Sequence, residues 1–361
     1  MIEVVCNGVA IQGFQDVRIT RSMSSFCGSY SMSIFRSGDQ SGSAWIPIYP
    51  GDNVEIRIDG ERVMDAWNDA STPSFNTSGF GCNIQGREIN CDMVDCVPEQ
   101  LNYDGKNLDE ICRAISAEFG LRYDGSGTAD VGGTFKKFSA NPGASAYEVM
   151  LAACQERRVL PVSDGSGHVR LDGGNYPRAS VDLVQGKNVL QASGHFNISA
   201  RYSHYTVYAA KDFKGKTFAT VEDESVERTR KWVMLDERWA TKENCEARAM
   251  WEARKRQAQS STLNVTVGGF RQAPGGKLWT PGELVAVDAP AILGNGIQEF
   301  LIDKVVFGFG SDGSKTMLTL VDPDIFAPAP KFPEAKKKVT KKKPVKDAWA
   351  NVRKQTGSKL K

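Results

Sequence analysis

The sequence predicts a mainly β protein with an α+β insertion, in which two similar small antiparallel β-barrels flank an α+β module. Short runs of alternating apolar and polar residues occupy both ends of the chain, and a helix-rich stretch lies between them. A Pro-Gly-acid turn followed by an apolar strand occurs twice, at 50–56 and again at 281–287. The 35 Gly and 15 Pro residues favour many turns over long helical bundles.

The first barrel is predicted to span residues 1–102 and to contain five short strands. Two of these alternate around Asp59-Gly60, a dipeptide that tolerates the positive φ of a tight hairpin turn. The polar stretch 68–79 predicts a loop before the last strand of the barrel. The predicted strands are 17–21, 30–35, 54–58, 61–64 and 81–87.

The α+β module is predicted to span residues 103–195. Its first helix, 108–119, places four apolar residues on one face and ends before Gly120, which suits a left-handed cap position. Its second helix begins at Ser145 with the spacing of a capping box. A β-hairpin over 159–171 follows that helix and completes the module.

The second barrel is predicted to span residues 196–327. Its strands are expected at 198–210 and within 263–322. A helical insertion, about 221–261, interrupts these strands. The helix inside it, 241–259, carries an acidic residue in its first turn and basic residues in its last, an order that complements the helix dipole.

The repeated Pro-Gly-acid segment leaves two interpretations open. Each copy lies about 37 residues before a closing strand, and each follows an alternating run, 17–35 in one case and 198–210 in the other. One interpretation is a common turn-strand motif that recurs without wider meaning. The other is a duplicated barrel, with the α+β module between its two copies.

Charge is divided sharply between the body of the chain and its C-terminal region, 328–361, a Pro-containing linker and a basic tail. Residues 331–361 hold 12 of the Lys and Arg but 2 of the acids, a net charge of +10, so the rest of the chain carries −8. The tail predicts docking on an acidic surface or phosphate backbones, or a solubilising role alone. The candidate partner-binding residues are Lys336, Lys337, Lys338, Lys341, Lys342, Lys343, Arg353 and Trp349, the last as the anchor of a short helix.

No catalytic, cofactor-binding or metal-ligating set is predicted. Residues 308–313 match a dinucleotide-binding fingerprint, but strands are predicted on both sides of them where the fingerprint needs a following helix, so a hairpin loop is expected. Cys82, Cys91, Cys96 and Cys112 lack the close paired spacing of structural zinc sites and are expected to be free thiols. Neither a bilayer-spanning run nor a secretory signal is expected, which excludes membrane insertion.

Three segments resemble the baseplate hub proteins of Mu-like contractile-tailed bacteriophages. They are the Pro-Gly-Asp turn at 50–54, Gly86-Arg87-Glu88, and the Asp-Met-Val-Asp-Cys stretch at 92–96, which ends a strand in the family pattern. Glu88 stands where that pattern has Ser or Thr, and Met93 stands where it has Leu. The resemblance covers about residues 1–327 and leaves out the basic tail.

The resemblance implies a structural virion protein without catalytic residues or cofactors. It implies a homotrimeric baseplate hub in which two barrels per chain form a ring of six, adapting a sixfold tail tube to a threefold central spike. The implied partners are further copies of the chain, the tail tube or a tube-initiator protein, and the spike, with a baseplate wedge or tape-measure protein as further candidates. DNA would pass through the lumen without specific binding, along a wall that the acidic body predicts to be acid-rich. Assembly would take place in the host cytoplasm.

Two alternatives stay open at this point. The first is a nucleic-acid-binding protein that acts through its Lys-rich tail, although an acidic body lacks the basic folded face that such proteins present. The second is the hub portion of a VgrG-type secretion spike, although such a spike needs a long Gly-rich repetitive β-helix that this chain lacks.

Overall fold

The structure is a computed structural model that describes residues 1–326, apart from 12, 38–47, 78, 128, 158, 210–216, 237–240 and 295. The strands are β1 Ile2–Cys6, β2 Val9–Ile11, β3 Phe14–Ser22, β4 Ser29–Ser37, β5 Asn53–Ile58, β6 Glu61–Asn76, β7 Gly79–Glu88, β8 Arg122–Tyr123, β9 Leu160–Ser163, β10 His168–Asp172, β11 Leu183–Val184, β12 Val189–Phe196, β13 His204–Ala209, β14 Phe218–Glu222, β15 Lys231–Asp236, β16 Ser261–Gly268, β17 Leu284–Asp288, β18 Gln298–Gly310 and β19 Gly313–Val321. The helices are α1 Cys91–Asp95, α2 Leu108–Glu118, α3 Ala146–Arg157, α4 Lys242–Ala258 and α5 Pro290–Leu293, followed by a 3-10 turn at Pro323–Phe326.

Thirteen of the described strands form one continuous sheet. Its order is β12-β16-β19-β18-β3-β4-β7-β6-β5-β1-β2, with β17 paired to β18 and β11 paired to β17. The antiparallel pairing of β3 with β18 joins the N-terminal strands to the C-terminal strands. The predicted fold class, mainly β and antiparallel with an α+β insertion, is thereby confirmed, while closure of either strand set into a barrel stays a prediction.

One face of this sheet packs on the main hydrophobic core. The intervening residues of the same strands point to the opposite face, where Ser, Thr, Asn and Gln predominate. The period-two alternation of the sequence therefore produces a sheet with one apolar face and one polar face. The strand residues that enter the core include Val17, Ile19, Met32, Ile34, Cys82, Ile84, Val305, Phe307, Leu318 and Leu320.

The hairpin predicted at Asp59-Gly60 is confirmed, because β5 and β6 pair around it and both turn residues have positive φ, 52° and 79°. The loop predicted at 68–79 is wrong, since β6 continues to Asn76 and pairs with β7 over this stretch. Its Ser, Thr, Asn and Pro residues resemble a loop by composition. They form a strand because β7 supplies a complete partner for their backbone groups.

The α+β layer contains α1, α2, α3 and the three-stranded sheet β8-β10-β9. Both predicted helices form, and the capping box at the start of α3 is present, with Glu148 N–H bound to the Ser145 hydroxyl and Ser145 N–H bound to the Glu148 carboxylate. The strand end expected at 92–96 is wrong. Residues 92–95 instead belong to α1, whose Met93 is buried in the core of the layer.

The insertion between β12 and β16 contains a second small sheet, β14-β13-β15, covered on one face by α4. The predicted helix at 241–259 forms, and Thr241 caps its N-terminus. Near the other end of α4, Arg256 lies over the rings of Tyr202 and Trp232. The strand expected at 198–210 begins only at His204, because a polar turn precedes it.

None of the helices in the described part of the chain is long and apolar enough to cross a membrane. The predicted domain boundaries at 102, 195 and 327 stay a prediction.

Candidate assembly interface

The predicted partner-binding residues, Lys336, Lys337, Lys338, Lys341, Lys342, Lys343, Trp349 and Arg353, lie outside the described residues. Within the described residues, no three His, Cys, Asp or Glu side chains are grouped in a way that could hold a metal ion. All eight cysteines are free thiols.

The repeated Pro-Gly-acid segment marks a duplication that extends through the neighbouring hairpin. Gly51 N–H binds the Asn68 carbonyl, and Asn68 N–H binds the Asp52 carbonyl. In the second copy, Gly282 N–H binds the Ile302 carbonyl, and Ile302 N–H binds the Glu283 carbonyl. The β6–β7 and β18–β19 hairpins then match residue by residue at a spacing of 234, from Asn68 and Ile302 through Asn76 and Gly310 to Gly79 and Gly313.

Irregularities in the pairing repeat as well. β6 carries a bulge at Asp69 and β18 carries one at Asp303, which are equivalent positions. β3 carries a bulge at Gln15, and β12 carries one at Leu190 in the same place relative to its neighbour. Strands β12, β16, β19, β18 and β17 therefore repeat the arrangement of β3, β4, β7, β6 and β5. The run predicted as the second alternating segment, 198–210, is not part of this repeat.

The junction between the two copies is the pairing of β3 with β18. The two strands are in register from Lys304 opposite Ser22 to Phe309 opposite Val17. On the core face, Val17 and Ile19 meet Val305 and Phe307, all of them buried. The junction therefore combines a hydrogen-bonded ladder with a continuous apolar layer.

The equivalents of these two strands at the other ends of the repeat have no such partner among the described residues. β12, the counterpart of β3, pairs with β16 and, apart from a single bridge between Val189 and Gln185, with no other part of the chain that the structure describes. The segment Ala70–Phe75 of β6, the counterpart of the β18 segment, pairs only with β7 among the described strands. Among the described strands, each chain thus has one edge of each kind without a partner.

Several side chains along these two edges are more exposed than their counterparts at the internal junction. Phe75 is 77% exposed, whereas its counterpart Phe309, which lies at the β3 junction, is 39% exposed. On β12, Leu190 and Phe196 are 61% and 57% exposed. Exposed apolar residues on an open strand edge are typical of a surface that another chain covers.

The polar face of the sheet is concave. Two adjoining grooves of about 930 and 390 Å³ lie on it. Three acids, Asp16, Asp69 and Asp312, and three bases, Arg18, Arg87 and Lys315, are among their lining residues. Most of the other side chains there are hydroxyls and amides, including Thr20, Ser29, Ser31, Ser33, Asn83, Gln85 and Thr266.

The Gly86-Arg87 pair holds the bulged hairpin of the first copy in place. A Cβ on Gly86 would lie 2.0 Å from the Trp67 carbonyl oxygen, so only glycine fits here. Arg87 binds Asp69 through Nε at 2.8 Å and Asp95 through Nη1 at 2.8 Å. The guanidinium thus connects the bulge to helix α1.

Glu88 joins the main sheet to the α+β layer. Its carboxylate is buried and accepts hydrogen bonds from Gly28 N–H at 2.9 Å and from the Ser163 hydroxyl on β9. Burial raises the pKa of Glu88 above its ordinary value, although these two hydrogen bonds and the nearby Arg21 oppose the shift. Glu88, which replaces the family's Ser or Thr, therefore has a structural role at this joint.

Three protein-family models match the chain in succession. Residues 1–88 match the N-terminal domain of proteins similar to the Mu phage baseplate assembly protein GpP. Residues 90–173 match the second domain of proteins similar to the baseplate hub protein gp44, and 241–329 match the fourth domain of GpP.

Individual relatives agree with these models. The baseplate hub protein gp44 of Escherichia phage Mu is 27% identical over 333 residues, 87% of this chain and 86% of that protein. The crystal structure of the 43 kDa tail protein of prophage MuSo2 from Shewanella oneidensis has a TM-score of 0.82 and 27% identity over 91% of this chain and 99% of that one. A tail protein from Neisseria meningitidis MC58 shares the fold, with a TM-score of 0.75 and 18% identity over 91% of this chain and 98% of that one. The chain belongs to the family of Mu-like phage baseplate hub proteins.

Proposed function

We propose that this baseplate hub protein forms a homotrimeric ring that adapts a sixfold tail tube to a threefold central spike. The observation that carries the proposal is the pair of unmatched edges, β12 and Ala70–Phe75, whose counterparts β3 and β18 pair within the chain. In the ring, β12 of one chain pairs with the β6 segment of the next. Three chains then contribute six similar sheet units, joined alternately within and between chains.

The internal junction also gives the register of the proposed one. Moving each residue pair of the β3–β18 junction to its equivalent position places Phe75 opposite Ala192 and Ser74 opposite Ser193. The same transfer places Ser71 opposite Phe196. This pairing covers the exposed rings of Phe75 and Phe196, and it removes two open strand edges that would otherwise favour aggregation.

The two ends of the strands differ in a way that supports different symmetries. The β6–β7 hairpin ends where Asn76 pairs with Gly79, and the β18–β19 hairpin ends where Gly310 pairs with Gly313, so a trimer presents six similar hairpin ends on one side. At the other end of the strands, the two repeats within each chain differ. The first repeat continues from Glu88 into the α+β layer, and the second carries the insertion between Phe196 and Ser261. We assign the hairpin end to the tail tube and the opposite end to the spike.

We assign the concave polar face to the wall of the central channel. A face of hydroxyls and amides with equal numbers of acids and bases provides no phosphate-binding patch, which suits passage of DNA without specific binding. On this assignment the wall is electrically balanced, in contrast to the acid-rich wall expected from the composition of the body.

Several further roles belong to the same proposal. A baseplate wedge or tape-measure protein would bind the outer surface of the ring, and the basic tail would dock on an acidic surface of another virion component. Assembly in the host cytoplasm would precede incorporation into the virion. The phage hub models, matched along most of residues 1–329, favour this function over a secretion spike or a nucleic-acid-binding protein.

Disulfide cross-linking tests the proposal. Directly opposed residues of antiparallel strands have Cβ atoms about 4.5–5.5 Å apart, near the range that a disulfide spans. A chain with Ser74→Cys and Ser193→Cys, in a Cys96→Ser background to remove the exposed thiol, should give a covalent trimer on oxidation. The matched control, Ser74→Cys with Gln191→Cys, should cross-link far less. Only monomer, or a ladder that continues beyond three chains, would overturn the ring.

A further inference from the structure

The internal junction ends in a clamp made by a buried carboxylate. Asp303, the bulge residue of β18, is 8% exposed and accepts hydrogen bonds from Ser24 N–H and the Ser24 hydroxyl, both at 2.9 Å. It also accepts one from the Ser22 hydroxyl at 3.3 Å. The Asp303 carbonyl accepts Met23 N–H at 2.8 Å. The bulge of β18 thus fixes the end of β3.

The parts of a second clamp are present at the two unmatched edges. Asp69 occupies the bulge of β6. Residues 197–199, directly after β12, are the equivalents of residues 22–24 at the end of β3. The local turns agree, because the Asn197 side-chain oxygen accepts Ser199 N–H at 2.8 Å, as the Ser22 hydroxyl accepts Ser24 N–H at 3.2 Å. Ser199 is the equivalent of Ser24, the main donor of the internal clamp, so both positions carry a serine hydroxyl.

These donors are not used within the described part of the chain. The Ser199 hydroxyl and Ile198 N–H have no hydrogen-bond partner among the described residues. Their counterparts, the Ser24 hydroxyl and Met23 N–H, both bind Asp303. Asp69 already accepts one hydrogen bond from Arg87 on each carboxylate oxygen, and each oxygen can accept a second.

A packing site accompanies the clamp. Met23 is 5% exposed and lies over Gly282, where a Cβ would be 3.3 Å from the Met23 sulfur. The equivalent glycine, Gly51, has no atom of a described residue within 4 Å of its Cβ position, and the counterpart of Met23, Ile198, is 49% exposed. Among the described residues, the site over Gly51 is therefore open at one edge of the chain. At the other edge, Ile198 exposes an apolar side chain that corresponds to Met23.

We propose that Asp69 of one chain binds the Ser199 hydroxyl of the next copy, while Ile198 of that copy packs over Gly51. This inference rests on the proposed ring and names the residues that fix its register. Hydrogen bonds along two open edges can also form after a slip of two residues. A carboxylate at the bulge that recognises one serine hydroxyl excludes such a slip, so Asp69 and Ser199 are positioning residues for assembly.

Paired variants of the full-length chain test the clamp through the trimer dissociation constant, measured by sedimentation equilibrium. Asp69→Asn should weaken each junction about tenfold, and a ring with three junctions about a thousandfold, because each loses one charge-assisted hydrogen bond. Asp95→Asn is the matched control, since it also removes an ion pair of Arg87 but changes a residue of helix α1 rather than the bulge of β6. Ser199→Ala should weaken the trimer to a similar degree, and Ser199→Thr should restore most of the affinity.

A second readout follows register directly. In the chain with Ser74→Cys and Ser193→Cys, adding Asp69→Asn should lower the yield of covalent trimer. In the chain with Ser74→Cys and Gln191→Cys, which reports a shift of two residues, adding Asp69→Asn should raise that yield. If wild type forms no trimer, the proposed function fails. If the trimer forms but Asp69→Asn and Asp95→Asn have the same affinity and the same cross-links, the clamp is wrong and the ring stands.

Discussion

Substitution of Phe75 by Ser should weaken the trimer without unfolding the chain. In the isolated chain this ring is 77% exposed, whereas the equivalent Phe309 at the internal junction is 39% exposed. The difference gives the area that a junction covers, about 75 Å² for a side chain of about 200 Å². At about 25 cal/mol per Å², each junction loses about 2 kcal/mol, which is about 30-fold in affinity.

Three junctions multiply this effect. The free energy of trimer formation should fall by about 6 kcal/mol, more than 10⁴-fold in the dissociation constant of the ring. Sedimentation equilibrium over a range of concentrations measures that constant, and circular dichroism checks the fold. Phe309→Ser serves as the internal comparison, because it should lower the stability of the folded chain, whereas Phe75→Ser should leave that stability nearly unchanged.

The matched control is Leu235→Ser, which removes an apolar side chain that is 62% exposed on the small sheet of the insertion. It should leave the trimer intact. A Phe75→Ser variant that trimerises as tightly as wild type would show that this ring is not covered at a junction. The register derived from the internal duplication would then be wrong.

Three further changes have defined outcomes. Gly86→Ala should cost about 3 kcal/mol or more in chemical denaturation, because its Cβ would meet the Trp67 carbonyl oxygen at 2.0 Å; a loss below about 0.5 kcal/mol would contradict this. Burial raises the pKa of Asp223, but hydrogen bonds, one of them from Arg201, lower it below its ordinary value, so its contribution to stability is present above about pH 4 and is lost as the pH falls further. Asp223→Asn should therefore lower stability at pH 7 and flatten the loss of stability as the pH falls below about 4; parallel pH curves would refute it. A chain ending at Pro330 should trimerise normally but enter tails poorly, and normal incorporation with normal infectivity would leave the tail only a solubilising role.

Local sequence signals predicted much of the secondary structure. Turn chemistry at Asp59-Gly60 and capping residues at Ser145 and Thr241 act over a few positions, so their consequences are visible in the sequence alone. The hairpin predicted at 308–313 is confirmed, because β18 and β19 pair on both sides of it and leave no place for the helix that a dinucleotide site requires. The Pro-Gly-acid turns revealed the duplication.

The rest depends on partners that are distant in sequence. Residues 70–76 have the composition of a loop and become a strand through β7, and the bulges at Asp69 and Asp303 leave no local signal. The alternation at 198–210 predicts the counterpart of β3 there, but β12 occupies that place in the sheet, because equivalent positions in the two repeats share polarity more than residue type. A search for paired hairpins at a fixed spacing of 234 would have found the repeat and, with it, the two unmatched edges.

The solution mass of the full-length chain tests the trimeric ring most simply. Sedimentation equilibrium at micromolar concentration should give three times 39.5 kDa, with a dissociation constant that Phe75→Ser and Asp69→Asn both raise. A chain that keeps its β-rich circular dichroism spectrum and sediments at 39.5 kDa up to high concentration would contradict the ring, the channel and the symmetry adaptation together.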